Sequence, residues 1–285
     1  MGHTTPADPV RDTADVTLTR KESSPIPVEA DSINPDRFAG LGAAAIAALP
    51  AWFGRREVTL GDLFEIEGSG GPVVNVRGDV KAVKRIGQGM SSGRVTVAGD
   101  AGPHLGAYLS GGEIVVEGSA GDWAGAHMTG GRIVVRGDTG HFTGGAYSGE
   151  PRGMRGGTIV VAGSAGREIG ARMRRGLIVV LGDAGEFAGG GMLAGSVFVG
   201  GRLGGRAGAG MKRGTIVAFG DSAEVLPTFR YACSYRPVFL RCYLESLVAS
   251  GLVESADLPD GRFRRYVGDM NTGGRGEVLV RDQSQ

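Results

Sequence analysis

The chain has only two cysteines, Cys233 and Cys242, in 285 residues. A lone pair close in sequence supplies neither a disulfide framework nor the spacing of a metal-ligand set. Lysine is scarce too: 4 of the 31 basic residues are Lys and 27 are Arg. Charge of one sign is missing, since the formal net charge is +1, so no global field steers the protein to nucleic acid. No run approaches 18 apolar residues, and Met1 to Lys21 holds no apolar signal core, which predicts a cytoplasmic protein without a membrane span. Proline numbers 12, too few for a collagen triple helix, in which glycine would also recur at every third position. Hydrophobic residues make up 41% and fall in short β-branched runs, which excludes a disordered linker.

Glycine is what abounds, 54 of 285 residues or about 19%, against roughly 7% in an average chain. Internal self-similarity accounts for the excess. Segments 94–112, 113–131, 158–176, 177–195 and 196–214 align residue for residue with a period of 19. Residues 132–157 are the same unit carrying a seven-residue insertion, Tyr147 to Gly153; 73–93 is a degenerate first unit and 215–221 an unfinished last one. The second and fourth positions of each unit are apolar (Val95/Val97, Ile114/Val116, Ile133/Val135, Ile159/Val161, Ile178/Val180, Val197/Val199), the alternation of a strand with one buried face. Three glycines recur per unit, as at Gly99, Gly106 and Gly112, and read as three corners of a coil that pairs in parallel with the next. The expectation is an all-β fold, a right-handed parallel β-helix of about seven 19-residue coils, on the order of 34 Å long at ~4.8 Å per layer.

Met90, Met128, Met154, Met173, Met192 and Met211 share one unit position, with Leu109 in the remaining coil. A soft-metal relay would need accessible thioethers, whereas identical flexible apolar side chains fill a narrow interior, so this column is read as core. After the strand-ending glycine stand Asp79, Asp100, Ser119, Asp138, Ser164, Asp183 and Asp221, with Arg202 breaking the series. A calcium β-roll would converge carboxylates at a shorter period, so these residues are expected to bond the local turn backbone. His104, His127 and His141 occupy different unit positions and make no ligand set. Matches to the dinucleotide glycine pattern are inevitable at this composition, and none opens a helix after a strand.

The outward middle strand position runs Asn75, Thr96, Val115, Val134, Val160, Val179, Phe198, Val217, from polar to apolar, so one end of that face needs cover. An amphipathic helix over Pro237 to Gly251, or a partner protein, would supply it. A second helix is expected from Asn34-Pro35 through 36–49, stopped by Pro50, and both helices are candidate plugs for the coil ends. Basic residues gather at the other corners: Arg152, Arg155, Arg167, Arg172, Arg174, Arg175, Arg202, Arg206, Lys212 and Arg213. They form either a solvated edge-protecting face or a docking patch for an acidic partner or polyanionic ligand. Boundaries are set at 1–71 for the N-terminal tail, strand and capping helix, 72–222 for the repeat, and 223–285 for the C-terminal cap and tail.

Segments 27–40 (PVEADSINPDRFAG), 60–68 (LGDLFEIEG) and 229–244 (FRYACSYRPVFLRCYL), together with the glycine-methionine coils, resemble the C subunit of formylmethanofuran dehydrogenase. They also resemble its counterpart in the bacterial formyltransferase/hydrolase complex, and the coils alone fit the C-terminal β-helical domain of glutamate synthase. The resemblance implies a non-catalytic scaffold. Partner subunits would move formyl from formyl-tetrahydromethanopterin to a methanofuran-type carrier and hydrolyse it to formate, or, in the alternative, run tungsten or molybdenum reduction. Carrier, pterin and metal are then expected on those subunits and none on this chain. The Arg-over-Lys bias favours the bacterial complex. A free-standing β-helical enzyme such as a polysaccharide lyase is the competing class, and it would need carboxylates beside Arg at the corners. The candidate contacts, with partner protein or with the glutamate-rich carrier tail the family implies, are Tyr147, Arg152, Arg155, Arg172, Arg174 and Arg175.

Overall fold

The computed structural model describes residues 15–222, 224–249, 251 and 261–282. Residues 1–14, which include His3 and most of the stretch read for a signal core, lie outside the described residues. The chain is mostly β. Each unit places its alternating segment in a strand, and successive strands pair in parallel at constant offset: Arg94 with Glu113, Glu113 with Arg132, Leu177 with Ser196, Ser196 with Thr215. The insertion lengthens one step only, so that Arg132 pairs with Thr158 without loss of register. Single-residue parallel bridges form a second ladder, Val80, Ala101, Ala120, Thr139, Ala165, Ala184, Leu203, Ser222. A third line of bonds joins the mid-unit glycines to the preceding unit, as from Gly106 N–H to Ile86 O at 2.9 Å and from Gly125 N–H to Leu105 O at 2.8 Å. Gly125 must be glycine on two counts, a φ of +65° and a would-be Cβ only 2.5 Å from Ile159 Cδ1.

The parallel array does not stop with the repeat. Asp15–Arg20 precedes it, parallel to Val73–Arg77 and antiparallel to Phe64–Gly68. Arg275–Arg281 follows it, parallel to Arg213–Ala218 although 62 residues separate the paired Thr215 and Glu277. Phe263–Gly268 and Arg230–Tyr235 then add antiparallel strands, giving a sheet of thirteen strands among the described residues. One core runs the full length, from Val16 to Val280. All six methionines of the column and Leu109 are completely buried in it. Their tips occupy the space above the unit-ending glycines of the next layer: a Cβ on Gly157 would lie 2.5 Å from Met128 Cε, on Gly176 2.6 Å from Met154 Cε, and on Gly195 2.7 Å from Met173 Cε. Methionine and glycine are therefore complementary parts of one packing unit.

The outward face has its cover within the chain. Leu240, Leu244 and Leu247 of the Val238–Ala249 helix are buried against Val160, Leu177, Val179, Phe198, Val217 and Leu279. This helix lies along the sheet, so it is not the end plug expected of it; Phe229, Val225 and Leu226 pack against the core beside Gly208 and the last strands instead. At the polar end, Glu113 bridges Arg94 at 3.5 Å and Arg132 at 3.4 Å, the pairing between layers that the alternating charges suggest. The single N-terminal helix expected over 36–49 is two short ones, Pro35–Phe38 and Ala43–Ala47. Asn34 does cap the first, its Oδ1 accepting from Asp36 N–H at 2.9 Å. Gly40, at φ +75°, turns the chain out of the helical path, and Pro50 opens the strand Pro50–Phe53.

Candidate functional site

Two positions of the unit take the left-handed region with non-glycine residues. One gives Arg85, His104, Trp123, Phe142, Glu168, Phe187 and Arg206 at φ of 58–68°; the other gives Tyr108, His127 and Arg172 at 55–60°, and glycine at Gly89, Gly191 and Gly210. Repetition at the same corner stacks their side chains layer on layer. His104 lies on Trp123 with centroids 5.3 Å apart and planes 9° apart, and Trp123 lies on Phe142 at 4.8 Å and 8°. Tyr108 stacks on His127 at 5.0 Å and 13°. Offset ring stacking supplies a lateral attraction that compensates part of the left-handed strain.

The insertion folds onto this aromatic corner. Tyr147 sets its ring 5.0 Å from His127 and 5.4 Å from His104, with its hydroxyl 2.9 Å from His104 Nδ1. Its backbone N–H donates to His127 Nε2 at 3.0 Å, which fixes that imidazole as neutral with its proton on Nδ1. Burial pushes the Tyr147 phenol up to about 12, helped by Tyr108, and burial lowers both His104 and His127 below the ordinary imidazole value. Farther along, Arg172 Nη1 donates to Glu150 O at 2.8 Å, and Gly153 N–H donates to Arg172 O at 2.9 Å. The loop is thus anchored at both ends, and only 148–152 stands exposed. The first residue of the insertion folds inward, because the half-buried Tyr147 ring is worth more against four other rings than in water.

The six residues singled out from the sequence divide accordingly. Tyr147 anchors the start of the insertion and Arg172 its end. Arg155 and Arg175 are in-register neighbours at the starts of adjacent strands, beside exposed Arg174; Arg152 sits at the exposed end of the loop. Among the described residues, Arg152, Arg155, Arg174 and Arg175 have no carboxylate within ion-pair distance, in contrast to the alternating Arg94–Glu113–Arg132 row.

The Asp and Ser series works between layers and not within its own turn. Asp100 Oδ1 accepts from Ser119 N–H at 2.8 Å, Ser119 Oγ from Asp138 N–H at 3.1 Å, Asp138 Oδ1 from Ser164 N–H at 2.7 Å, Ser164 Oγ from Asp183 N–H at 3.0 Å, and Asp183 Oδ1 from Arg202 N–H at 2.7 Å. Asp79, whose Oδ1 accepts from Lys81 N–H at 3.3 Å, keeps the local form. A second such row runs from Asp122 Oδ1 to His141 N–H at 2.7 Å and from His141 Nδ1 to Arg167 N–H at 3.0 Å. Sequence reasoning missed the aromatic corner, although His104, Trp123 and Phe142 align at one unit position once the 19-residue rows are written out.

No protein-family model matches the chain. The C subunit of the molybdenum-containing formylmethanofuran dehydrogenase 1 of Methanosarcina barkeri is 39% identical over 97 residues, 32% of either chain. The C subunit of the tungsten-containing formylmethanofuran dehydrogenase 2 of Methanothermobacter marburgensis is 39% identical over 99 residues, 33% of this chain and 37% of the relative. These matches span about a third of the length of the curated relatives. A chain in the crystal structure of the formyltransferase/hydrolase complex from Methylorubrum extorquens, in complex with methylofuran, has a TM-score of 0.87 and 39% identity, over 94% of this chain and 100% of that one. On that full-length correspondence, joined to the two dehydrogenase relatives, the chain belongs to the formylmethanofuran dehydrogenase C-subunit family.

Proposed function

We propose that this chain is a non-catalytic scaffold subunit, wound as a right-handed parallel β-helix, of a cytoplasmic one-carbon complex. Its partners transfer formyl from formyl-tetrahydromethanopterin to a methanofuran-type carrier and hydrolyse it to formate. The observation that carries the reading is the end-to-end likeness to a chain of the formyltransferase/hydrolase complex. Side-chain chemistry supports it. Asp100, Ser119, Asp122, Asp138, His141, Ser164 and Asp183 are spent as acceptors for the next layer's backbone, so the groups best suited to acid, base or nucleophile work hold the stack together. The exposed cations Arg152, Arg155, Arg174 and Arg175 form the docking face toward a partner protein, and contact with an anionic carrier tail is the second use of the same charges. Right-handedness follows from the rule for parallel crossovers.

Co-expression with the remaining subunits tests this. A tagged chain should carry formyltransferase and hydrolase activity through purification, and the same chain alone should have neither. Turnover of formyl-tetrahydromethanopterin by the isolated chain would overturn the scaffold reading. Replacing Arg174 and Arg175 together by Glu should release the partners if the face docks protein, and leave assembly intact but slow coupled transfer if it guides the carrier.

A further inference from the structure

The return of the C-terminal strand creates a cleft that the repeat alone does not contain. Its lining is Leu193, Lys212, Arg213, Thr272, Gly273 and Arg275. Arg213 and Arg275 are opposite one another in the parallel pair, so their side chains leave the sheet on the same side at the same height, one strand spacing of ~4.8 Å apart. Lys212 precedes Arg213 in sequence and lines the same cleft, and all three are exposed. Like charges opposite each other on neighbouring strands repel. Arg265 of the same sheet has a carboxylate partner, Glu277 at 2.7 Å, whereas the in-register Arg155 and Arg175, like this pair, have none among the described residues. Among the described residues none answers Lys212, Arg213 or Arg275.

The walls are held in place. Asp269 accepts from Gly210 N–H at 3.0 Å on one wall and from Asn271 N–H at 2.9 Å on the other, and Thr272 Oγ1 donates to Met211 O, so the 269–274 turn is pinned to the segment that carries Lys212. The floor is open because the basic column skips a layer: between Arg175 and Arg213 the equivalent residue is Ala194, flanked by Leu193. Two guanidinium forks and an ammonium lining one cleft match the oxygens of a single carboxylate or phosphate group.

We propose that Lys212, Arg213 and Arg275 form an oxyanion-binding site, distinct from the Arg155, Arg174 and Arg175 corner and independent of the scaffold reading. Calorimetric titration of the full chain with inorganic phosphate, and separately with succinate, tests it at constant ionic strength set with sodium chloride. One of the two should bind saturably at one site per chain, and which one does so identifies phosphate or carboxylate as the native chemistry. Arg275→Gln should weaken that binding at least ten-fold, as should Lys212→Gln, which leaves both strands unaltered; Arg174→Gln should not. No saturable binding of either anion by the unaltered chain, or equal binding by the Arg275→Gln chain, would overturn the proposal.

Discussion

Replacing Met173 by Ala removes a fully buried side chain whose Cε fills the space over Gly195 and whose Sδ stands 2.9 Å from where a Cβ on Gly170 would be. Truncation of a buried Met to Ala costs about 2–5 kcal/mol, and in a narrow interior with methionines above and below the walls have little room to collapse. At ~2–4 °C per kcal/mol for a chain of this size, a loss of about 3 kcal/mol is roughly 6–12 °C in Tm. Arg174→Ala, the neighbouring exposed residue, should change Tm by a degree or two. Gly195→Ala should cost about as much as Met173→Ala, because it adds a methyl 2.7 Å from Met173 Cε to a residue at φ +108°. The decisive variant is the double substitution. Removing Met173 frees the space the new methyl needs, so the double mutant should be less destabilised than the sum of the singles by about 1–2 kcal/mol, the φ strain remaining. Urea and thermal unfolding of the four proteins measure this. Strict additivity would refute the Met–Gly complementarity, and equal losses for Met173→Ala and Arg174→Ala would show that the faces of the unit are reversed.

Acidification should loosen the insertion first, because protonated His127 can no longer accept from Tyr147 N–H. With its pKa lowered by burial, the unfolded or released state binds the proton more readily, so the stabilisation is complete above the ordinary imidazole value and is lost as pH falls from there through the folded value. The protection factor of the Tyr147 amide, its slowing relative to the intrinsic exchange rate, should therefore fall on acidification, and His127→Gln, which keeps an acceptor, should flatten the effect. Asp138→Ala should cost about 0.5–1.5 kcal/mol for the lost bond to Ser164 N–H, whereas Asp138→Ser should cost less because Ser119 and Ser164 fill the same role in adjacent layers. Leu244→Ala should lower Tm through a cost of about 2–4 kcal/mol and raise binding of a hydrophobic dye, as the helix loses its hold on Phe198 and Val179; an unchanged Tm would mean that the helix does not cover the sheet in solution.

The period, the buried methionines and the need to cover the later strands are legible in the sequence because each is one residue type at one repeated position. The Asp and Ser series was legible as hydrogen bonding but not in direction: a short polar side chain after a glycine suits its own turn, and only stacking brings the N–H of the following unit within 2.7–3.1 Å. His104, Trp123 and Phe142 differ in chemistry, so a search for identical residues passes over their common conformation. The last parallel strand did leave a trace, since Arg275-Gly276 before Val278 and Val280 repeats Arg213-Gly214 before Ile216 and Ala218. Tyr147 was found as part of an insertion, but nothing in the spacing reveals that two histidines 20 and 43 residues upstream receive it.

A chain built of near-copies faces a hazard that ordinary folds do not: any unit could be displaced by one whole period and still find its strand, its glycines and its methionine in place. The Tyr147 insertion acts against that ambiguity as an address label. It can close only where one layer offers His127 and another His104, so a stack misaligned by 19 residues leaves the ring and both nitrogens without partners. The Val238–Ala249 helix reads a second label, the single Phe198 among valines, at the far end of the same sheet. Periodic parts set the spacing, and two aperiodic side-chain keys count the layers, which lets a repetitive sequence present each surface residue at one fixed height along the stack.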